Sequence, residues 1–106
     1  MNDKHDKHDT PETVKQVYKV KVTPYNPYSG EPCGETGYIL FEAGRIEEIR
    51  AANPHYGDSS PLEIAISHAN HVVDTDECLK YRYYKVEGAV LVEMTCREML
   101  NTPPVL

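Results

Sequence analysis

The sequence contains no tryptophan and only one phenylalanine, although it has eight tyrosines. Most of its aromatic side chains therefore carry a hydroxyl group that needs a hydrogen-bond partner or water. Strong core formers are also few, because Leu, Ile, Val and Phe account for 22 of the 106 residues. That share is just above the level at which chains tend to stay unfolded. These shortages predict a lean core, and a length of 106 residues predicts one domain, without room for a catalytic domain with a separate cofactor domain.

Long apolar runs and paired cysteines are missing as well. No stretch reaches the roughly 18 apolar residues of a membrane span, and the N-terminus lacks the apolar segment of a signal peptide. Cys33, Cys78 and Cys96 form no CxxC pair, so no disulfide framework is expected. We therefore expect a soluble, cytoplasmic protein that contacts no membrane and keeps its thiols reduced.

The charge is acidic and unevenly distributed. The chain has 17 acidic and 11 basic residues, for a net charge of −6. The acidic excess lies in residues 31–78, which contain ten acids and two arginines, whereas the flanking segments are nearly neutral. Such a balance argues against a surface built to neutralise phosphates. Nucleic acid is therefore the less favoured partner.

Patterns in the first three quarters of the chain predict two strands and two helices. Alternating apolar and polar residues predict a strand over 16–23, and a short apolar run predicts another over 38–41. Residues 44–52 favour a helix, with a strand as the alternative. A further helix is expected after Ser60, because a proline follows it and Glu63 completes a capping box. The apolar stripe of that helix would comprise Leu62, Ala65, Ile66, Ala69, Val72 and Val73.

The C-terminal part predicts a β-hairpin with a two-residue turn at Glu87–Gly88. In this register, Tyr83 faces the helices and Tyr84 faces outward. We therefore expect Tyr83→Ala to cost several times more stability than Tyr84→Ala. The helix-facing side of the hairpin would comprise Leu79, Tyr81, Tyr83, Val92, Met94 and Cys96.

The order of these elements predicts an α+β fold, in which an antiparallel sheet of about four strands is packed on one face by one or two helices. We place the domain at residues 14–100. Residues 1–13 lack any apolar side chain between Met1 and Val14, so we expect a disordered tail there, and a short C-terminal tail at 101–106.

No motif assigns a catalytic residue or a cofactor, because GxSxG, HExxH and phosphate-binding glycine loops are all missing. Cys33 lies in a turn-rich loop, but acids on both sides disfavour a reactive thiolate. His68 and His71 are three residues apart on the second helix and could hold a metal ion together with Cys78, Asp74 or His55. Two residues at the boundary of a helix are the favoured explanation, because the spacing matches no zinc motif.

The remaining candidate is a surface rich in tyrosine and in segregated charge. If the first strand and the hairpin share a sheet, Lys19, Lys21, Lys80, Arg82 and Tyr84 lie on its outer face. Tyrosine and arginine are enriched where proteins bind one another, although tyrosine also simply suits strands. The candidate interface comprises Tyr25, Tyr28, Glu47, Glu48, Asp74, Asp76, Lys80, Arg82 and Tyr84.

Together these features predict a non-enzymatic protein-binding module, an inhibitor or adaptor, whose acidic middle steers it to a basic partner surface. By analogy with small acidic domains of phages and mobile elements, the expected partner is a host enzyme that handles nucleic acid. Two alternatives stay open. One is binding of single-stranded nucleic acid on the basic, tyrosine-bearing sheet face, and the other is a metal protein or enzyme that uses His68, His71 and Cys78. A homodimer is compatible with the sequence.

Overall fold

The computed structural model describes residues 10–76, 79 and 82–105. Over these residues the chain is an α+β protein with a three-stranded antiparallel sheet, in the order β2-β1-β3, and three α-helices. The elements in chain order are β1 (Val14–Pro24), β2 (Gly37–Glu42), α1 (Ala43–Ala52), a 3-10 turn (Pro54–Tyr56), α2 (Pro61–Thr75), β3 (Tyr84–Thr95) and α3 (Cys96–Asn101).

Successive side chains of the central strand β1 point to opposite faces of the sheet. Tyr18, Val20 and Val22 are buried on one face, where they join the core formed with α1 and α2. Lys19 and Lys21 alternate with them and lie on the opposite face. This alternation confirms the predicted half-buried strand, because successive side chains of a strand point to opposite sides.

The two longer helices cover the inner face of the sheet. Helix α1 buries Ile46 and Ile49, which confirms a helix rather than a strand for residues 44–52. Helix α2 begins with the predicted capping box, in which the Ser60 hydroxyl accepts from the Glu63 amide at 3.2 Å and the Glu63 carboxylate accepts from the Ser60 amide at 2.9 Å. These contacts satisfy amides that a helix start leaves without partners.

The buried stripe of α2 is rotated relative to the predicted one. Ile64 is fully buried, whereas Leu62 is 38% exposed. Apolar residues occupy so much of this helix that their spacing alone does not fix which of two neighbouring stripes meets the sheet. The buried residues of α2 are Ile64, Ala65, Ala69 and Val73.

The predicted hairpin at Glu87–Gly88 is wrong. Strand β3 continues through both residues and pairs with β1 along its whole length, with a one-residue shift of register at this point. Gly88 has a φ of +142°, which a β-bulge accommodates at glycine. The same dipeptide therefore suits a bulge as well as a turn, and the 11-residue β1 offers an uninterrupted partner. The sheet of the described residues consequently has three strands rather than about four.

The continuous strand also reverses the predicted roles of two tyrosines. Tyr84 lies opposite Pro24 and packs against the core with Val86. Tyr83 precedes the strand and is 56% exposed. Cys96 begins α3 instead of extending a strand, and Tyr81 lies outside the described residues. Leu79 joins the core as predicted. Val92 and Met94 lie opposite Val17 and Lys15, on the face of the sheet away from that core, so their predicted helix-facing position is wrong, although Met94 is buried there.

The last residues close the outer edge of β2. After α3, the backbone amide of Tyr38 donates a 2.8 Å hydrogen bond to the carbonyl of Pro103, and Tyr38 forms a parallel bridge with Pro104. Helix α3 has a capping box between Thr95 and Glu98. Its six residues are too few to produce a helical pattern in the sequence.

The exchanged tyrosines give a direct stability test. We expect Tyr84→Ala to lower the free energy of unfolding by about 2–3 kcal/mol, because it removes a partly buried ring packed on the core, and Tyr83→Ala to lower it by less than about 1 kcal/mol. Urea denaturation of both variants measures the difference. Equal losses would contradict the register of β3.

Candidate functional site

A cleft of about 710 Å³ lies where β1 ends and β2 and β3 begin. Four segments line it: residues 24–28, residues 33–36, residues 82–83 and the C-terminal residues 103–104. Pro24 ends β1, and the loop that follows carries prolines and glycines that favour tight turns. The volume lies within the range of roughly 300–1,000 Å³ typical of ligand sites. We call this site the tyrosine cleft.

The loop that forms one wall of the cleft is held by its own backbone. The amide of Cys33 donates to the carbonyl of Pro24 at 3.0 Å, and the amide of Asn26 donates to the carbonyl of Glu31 at 2.9 Å. The Asn26 side-chain oxygen accepts from the Tyr28 amide at 2.8 Å. Such local bonds fix a turn without secondary structure. They hold the backbone of the loop in one turn conformation.

Three tyrosines are among the residues that line the cleft. The rings of Tyr25 and Tyr83 lie edge to face, with centroids 6.0 Å apart, and the amide of Tyr25 donates to the carbonyl of Tyr83 at 3.0 Å. The ammonium group of Lys85 lies 5.7 Å from the Tyr25 ring. Tyr28 is 97% exposed and contributes almost nothing to the folded core. Three tyrosines thus present rigid, amphipathic rings at one site.

The C-terminal wall depends on Gly37. A Cβ atom at this position would overlap the backbone carbonyl of Pro104, so only glycine allows the tail to approach β2 this closely. The tail residues Pro103 and Pro104 in turn line the tyrosine cleft. The hydrogen bond from Tyr38 of β2 to Pro103 and the missing side chain at Gly37 therefore together fix the position of this wall.

A buried hydroxyl group ties the cleft to β3. Thr23 is only 6% exposed, and its Oγ1 lies 2.8 Å from both Thr36 Oγ1 and Glu87 Oε1. An ionised carboxylate can only accept, so Thr23 donates to Glu87 and accepts from Thr36. Lys21 approaches the same carboxylate at 3.8 Å. This network fixes the cleft residue Thr36 against the bulge of β3.

The predicted interface residues fall into separate groups. Tyr25, Tyr28 and Arg82 line the tyrosine cleft together. Tyr84 lies on the helix-facing side of the sheet, which corrects its predicted outward position, and Lys80 lies outside the described residues. Glu47, Glu48, Asp74 and Asp76 are exposed on or next to the helices and do not line the cleft.

The acids of α1 are largely balanced by arginines of the same helix. Glu48 pairs with Arg45 at 3.3 Å, and Glu47 pairs with Arg50 at 3.5 Å. Exposed pairs of this kind contribute little to stability, but they cancel charge locally. Among the described helix residues, the excess of negative charge therefore lies on α2.

The lysines of the outer sheet face also have partners within the chain. Lys19 Nζ lies 4.4 Å from the centre of the Tyr38 ring, and Lys15 pairs with Glu42 at 3.1 Å. Lys21 shares Glu87 with the Thr23 network. Because these cations already face carboxylates or a ring, the nucleic-acid alternative gains no support from this face.

The two histidines of α2 lie side by side at the edge of the core. Their ring centroids are 5.8 Å apart, and the ring of His68 contacts Phe41 edge to face at 5.6 Å. Cys78 lies outside the described residues, and within the described part no group of three His, Cys, Asp or Glu side chains could hold a metal ion. Partial burial lowers the pKa of His68 below its ordinary 6.5, and the charges of His71 and Arg45 lower it further.

Sequence reasoning missed Tyr83, Pro103 and Pro104 as residues of the site. Tyr83 was assigned to the core by the wrong hairpin register, and the two prolines were expected in a C-terminal tail. A weak signal existed: prolines and tyrosines are concentrated at the ends of the predicted strands, where a sheet gathers its connections.

No family model, curated protein or solved structure matches this chain. None of the helices in the described ranges is both long and apolar enough to cross a bilayer.

The Thr23 network gives the second prediction. Thr23→Val keeps the shape but removes the hydroxyl group, so Thr36 and Glu87 lose a buried partner, and we expect the free energy of unfolding to fall by about 1–2 kcal/mol. In a double-mutant cycle with Glu87→Ala, which removes the acceptor, the two losses should be less than additive. Strict additivity in urea denaturation would show that the two groups do not interact.

The lowered pKa of His68 gives a third, pH-dependent prediction. The unfolded chain binds a proton at this residue more readily than the folded one. Neutral His68 therefore makes its full contribution to the free energy of unfolding above pH 6.5. It is lost as the pH falls below that value toward the folded-state pKa. We expect His68→Gln to reduce the loss of stability between about pH 8 and about pH 5. The same change at exposed His55 serves as the control, and an identical effect there would contradict the assignment.

Proposed function

We propose that this protein is a non-enzymatic module that binds a segment of another protein in the tyrosine cleft and acts as an inhibitor or adaptor. The observation that carries the proposal is the convergence of Tyr25, Tyr28, Tyr83 and Arg82 on one concave site. Tyrosine and arginine are the residue types that most often dominate binding energy at protein interfaces. Tyr28 in particular is 97% exposed, so its ring is available for contact with a partner.

The shape and chemistry of the cleft favour an extended segment that contains proline. Grooves lined with aromatic rings bind polyproline II segments, which lose little entropy because they are already extended. Glu35 and Arg82 lie at the same cleft and offer one charge of each sign. These two side chains would orient a segment that carries a complementary charge at each end.

The exposed acids have a supporting role in this proposal. Asp74 and Asp76 lie outside the cleft and would act at long range, by speeding the encounter with a basic partner surface. Glu47 and Glu48 contribute less, because Arg45 and Arg50 offset their charge. A partner with a nucleic-acid groove would fit this charge, and the expected host enzyme remains part of the proposal on that basis.

Selection from a displayed library of random peptides tests the cleft, and this is the fourth prediction. We expect enrichment of proline-containing sequences that bind the purified chain. Tyr28→Ala and Tyr83→Ala should each weaken the selected peptides about 10–100-fold, because each removes an aromatic contact surface. Fluorescence anisotropy with labelled peptides measures the affinities.

Leu100→Ala is the matched control, because Leu100 is 87% exposed on α3 and lies outside the cleft. Its affinity for the selected peptides should be unchanged. Unfolding curves of all three variants separate lost binding from lost structure. The proposal fails if no peptide is enriched, or if the enriched peptides bind the two tyrosine variants as tightly as the unchanged chain.

A further inference from the structure

The two outer edges of the sheet differ. The edge of β2 is occupied by Pro103 and Pro104, through the hydrogen bond and the bridge to Tyr38. At the other edge, no strand of the described residues lies beyond β3, although β3 is 12 residues long. A long strand at an edge presents a row of backbone donors and acceptors to any strand that can pair with it.

Within the described part of the chain, the middle of this edge carries none of the usual protection. Proteins commonly prevent pairing of edge strands with proline, charge or a bulge. In β3 the bulge at Gly88 and the charge of Glu93 lie on either side of four apolar residues, Ala89 to Val92. Val90 is 54% exposed on the outer face, and Leu91 is 47% exposed on the inner face. Both faces of the sheet thus expose a large apolar side chain at the same place on the edge.

We propose that two copies of this chain associate through their β3 edges, in antiparallel orientation, to form one continuous six-stranded sheet. A two-fold axis perpendicular to the sheet keeps every side chain on its own face, so one residue must lie opposite its own copy. With Leu91 on the axis, Leu91 faces Leu91 of the second copy, and Val90 faces Val92. Both large exposed side chains then meet apolar partners.

The neighbouring registers fit less well. With Val90 on the axis, Leu91 faces only Ala89. With Val92 on the axis, Leu91 faces the carboxylate of Glu93. The order of residues in β3 is therefore self-complementary about Leu91, which favours a second copy over an unrelated strand. The N-terminal residues 1–9 do not suit this edge, since they have no apolar side chain after Met1 to cover Val90 and Leu91.

Sedimentation equilibrium of the whole chain tests the dimer, and this is the fifth prediction. We expect a mass about twice the 12.0 kDa of one chain, with dissociation on dilution. Leu91→Lys and Leu91→Glu should each weaken association at least about tenfold, because each puts two like charges directly opposite one another. Leu100→Lys places the same charge at an exposed position on α3 and should leave the dimer intact.

Mixing the two Leu91 variants tests the register. An equimolar mixture should form a heterodimer, visible in native mass spectrometry as a dimer mass that neither variant gives alone at the same concentration, because lysine then lies opposite glutamate. Unfolding curves confirm that both variants are folded. A chain that stays monomeric at all concentrations, a dimer that tolerates both substitutions, or a mixture that forms no heterodimer would each overturn the proposal.

Discussion

Strand β1 is the constraint on which the rest of the structure depends. It lies between β2 and β3, which do not pair with each other, so both remain in the sheet only through its backbone. It also contributes fully buried valines to both faces of the sheet. Val20 and Val22 pack in the main core, and Val17 is buried on the opposite face. In a chain with few core formers, one alternating strand thus supplies the sheet and much of the apolar packing.

The same strand explains which features the sequence could predict. Local rules sufficed for β1, for α1 and for the capped start of α2, because alternation, helical spacing and the Ser60 capping box each act within a few residues. They failed at Glu87–Gly88, because turn and bulge have the same local chemistry and the choice depends on the length of β1, about 65 residues earlier. The reversed positions predicted for Tyr83 and Tyr84 follow directly from that error.

The cleft was predictable only in part, for the same reason. Tyr25 and Tyr28 stand out in a loop of turn residues, and Arg82 was singled out by its residue type. These residues lie next to Tyr83 and the C-terminal prolines because the ends of three strands are adjacent there. That arrangement depends on how the strands pair in the sheet. The acids of α1 illustrate the converse, because a count of charges predicts an acidic surface and only the helical spacing pairs them with Arg45 and Arg50.

Gly37 has a consequence that reaches beyond its own backbone. The carbonyl of Pro104 lies where a Cβ atom of residue 37 would be. This position therefore has room for a hydrogen atom but for no larger group. Even alanine would push the tail away from β2, uncovering the backbone of that strand and removing a wall of the cleft at once. In a survey of substitutions across the chain, Gly37 would behave as though it were part of a binding site while touching no ligand. The effect of substitutions at Gly37 would show how far the protection of the β2 edge and the shape of the cleft depend on the same few atoms.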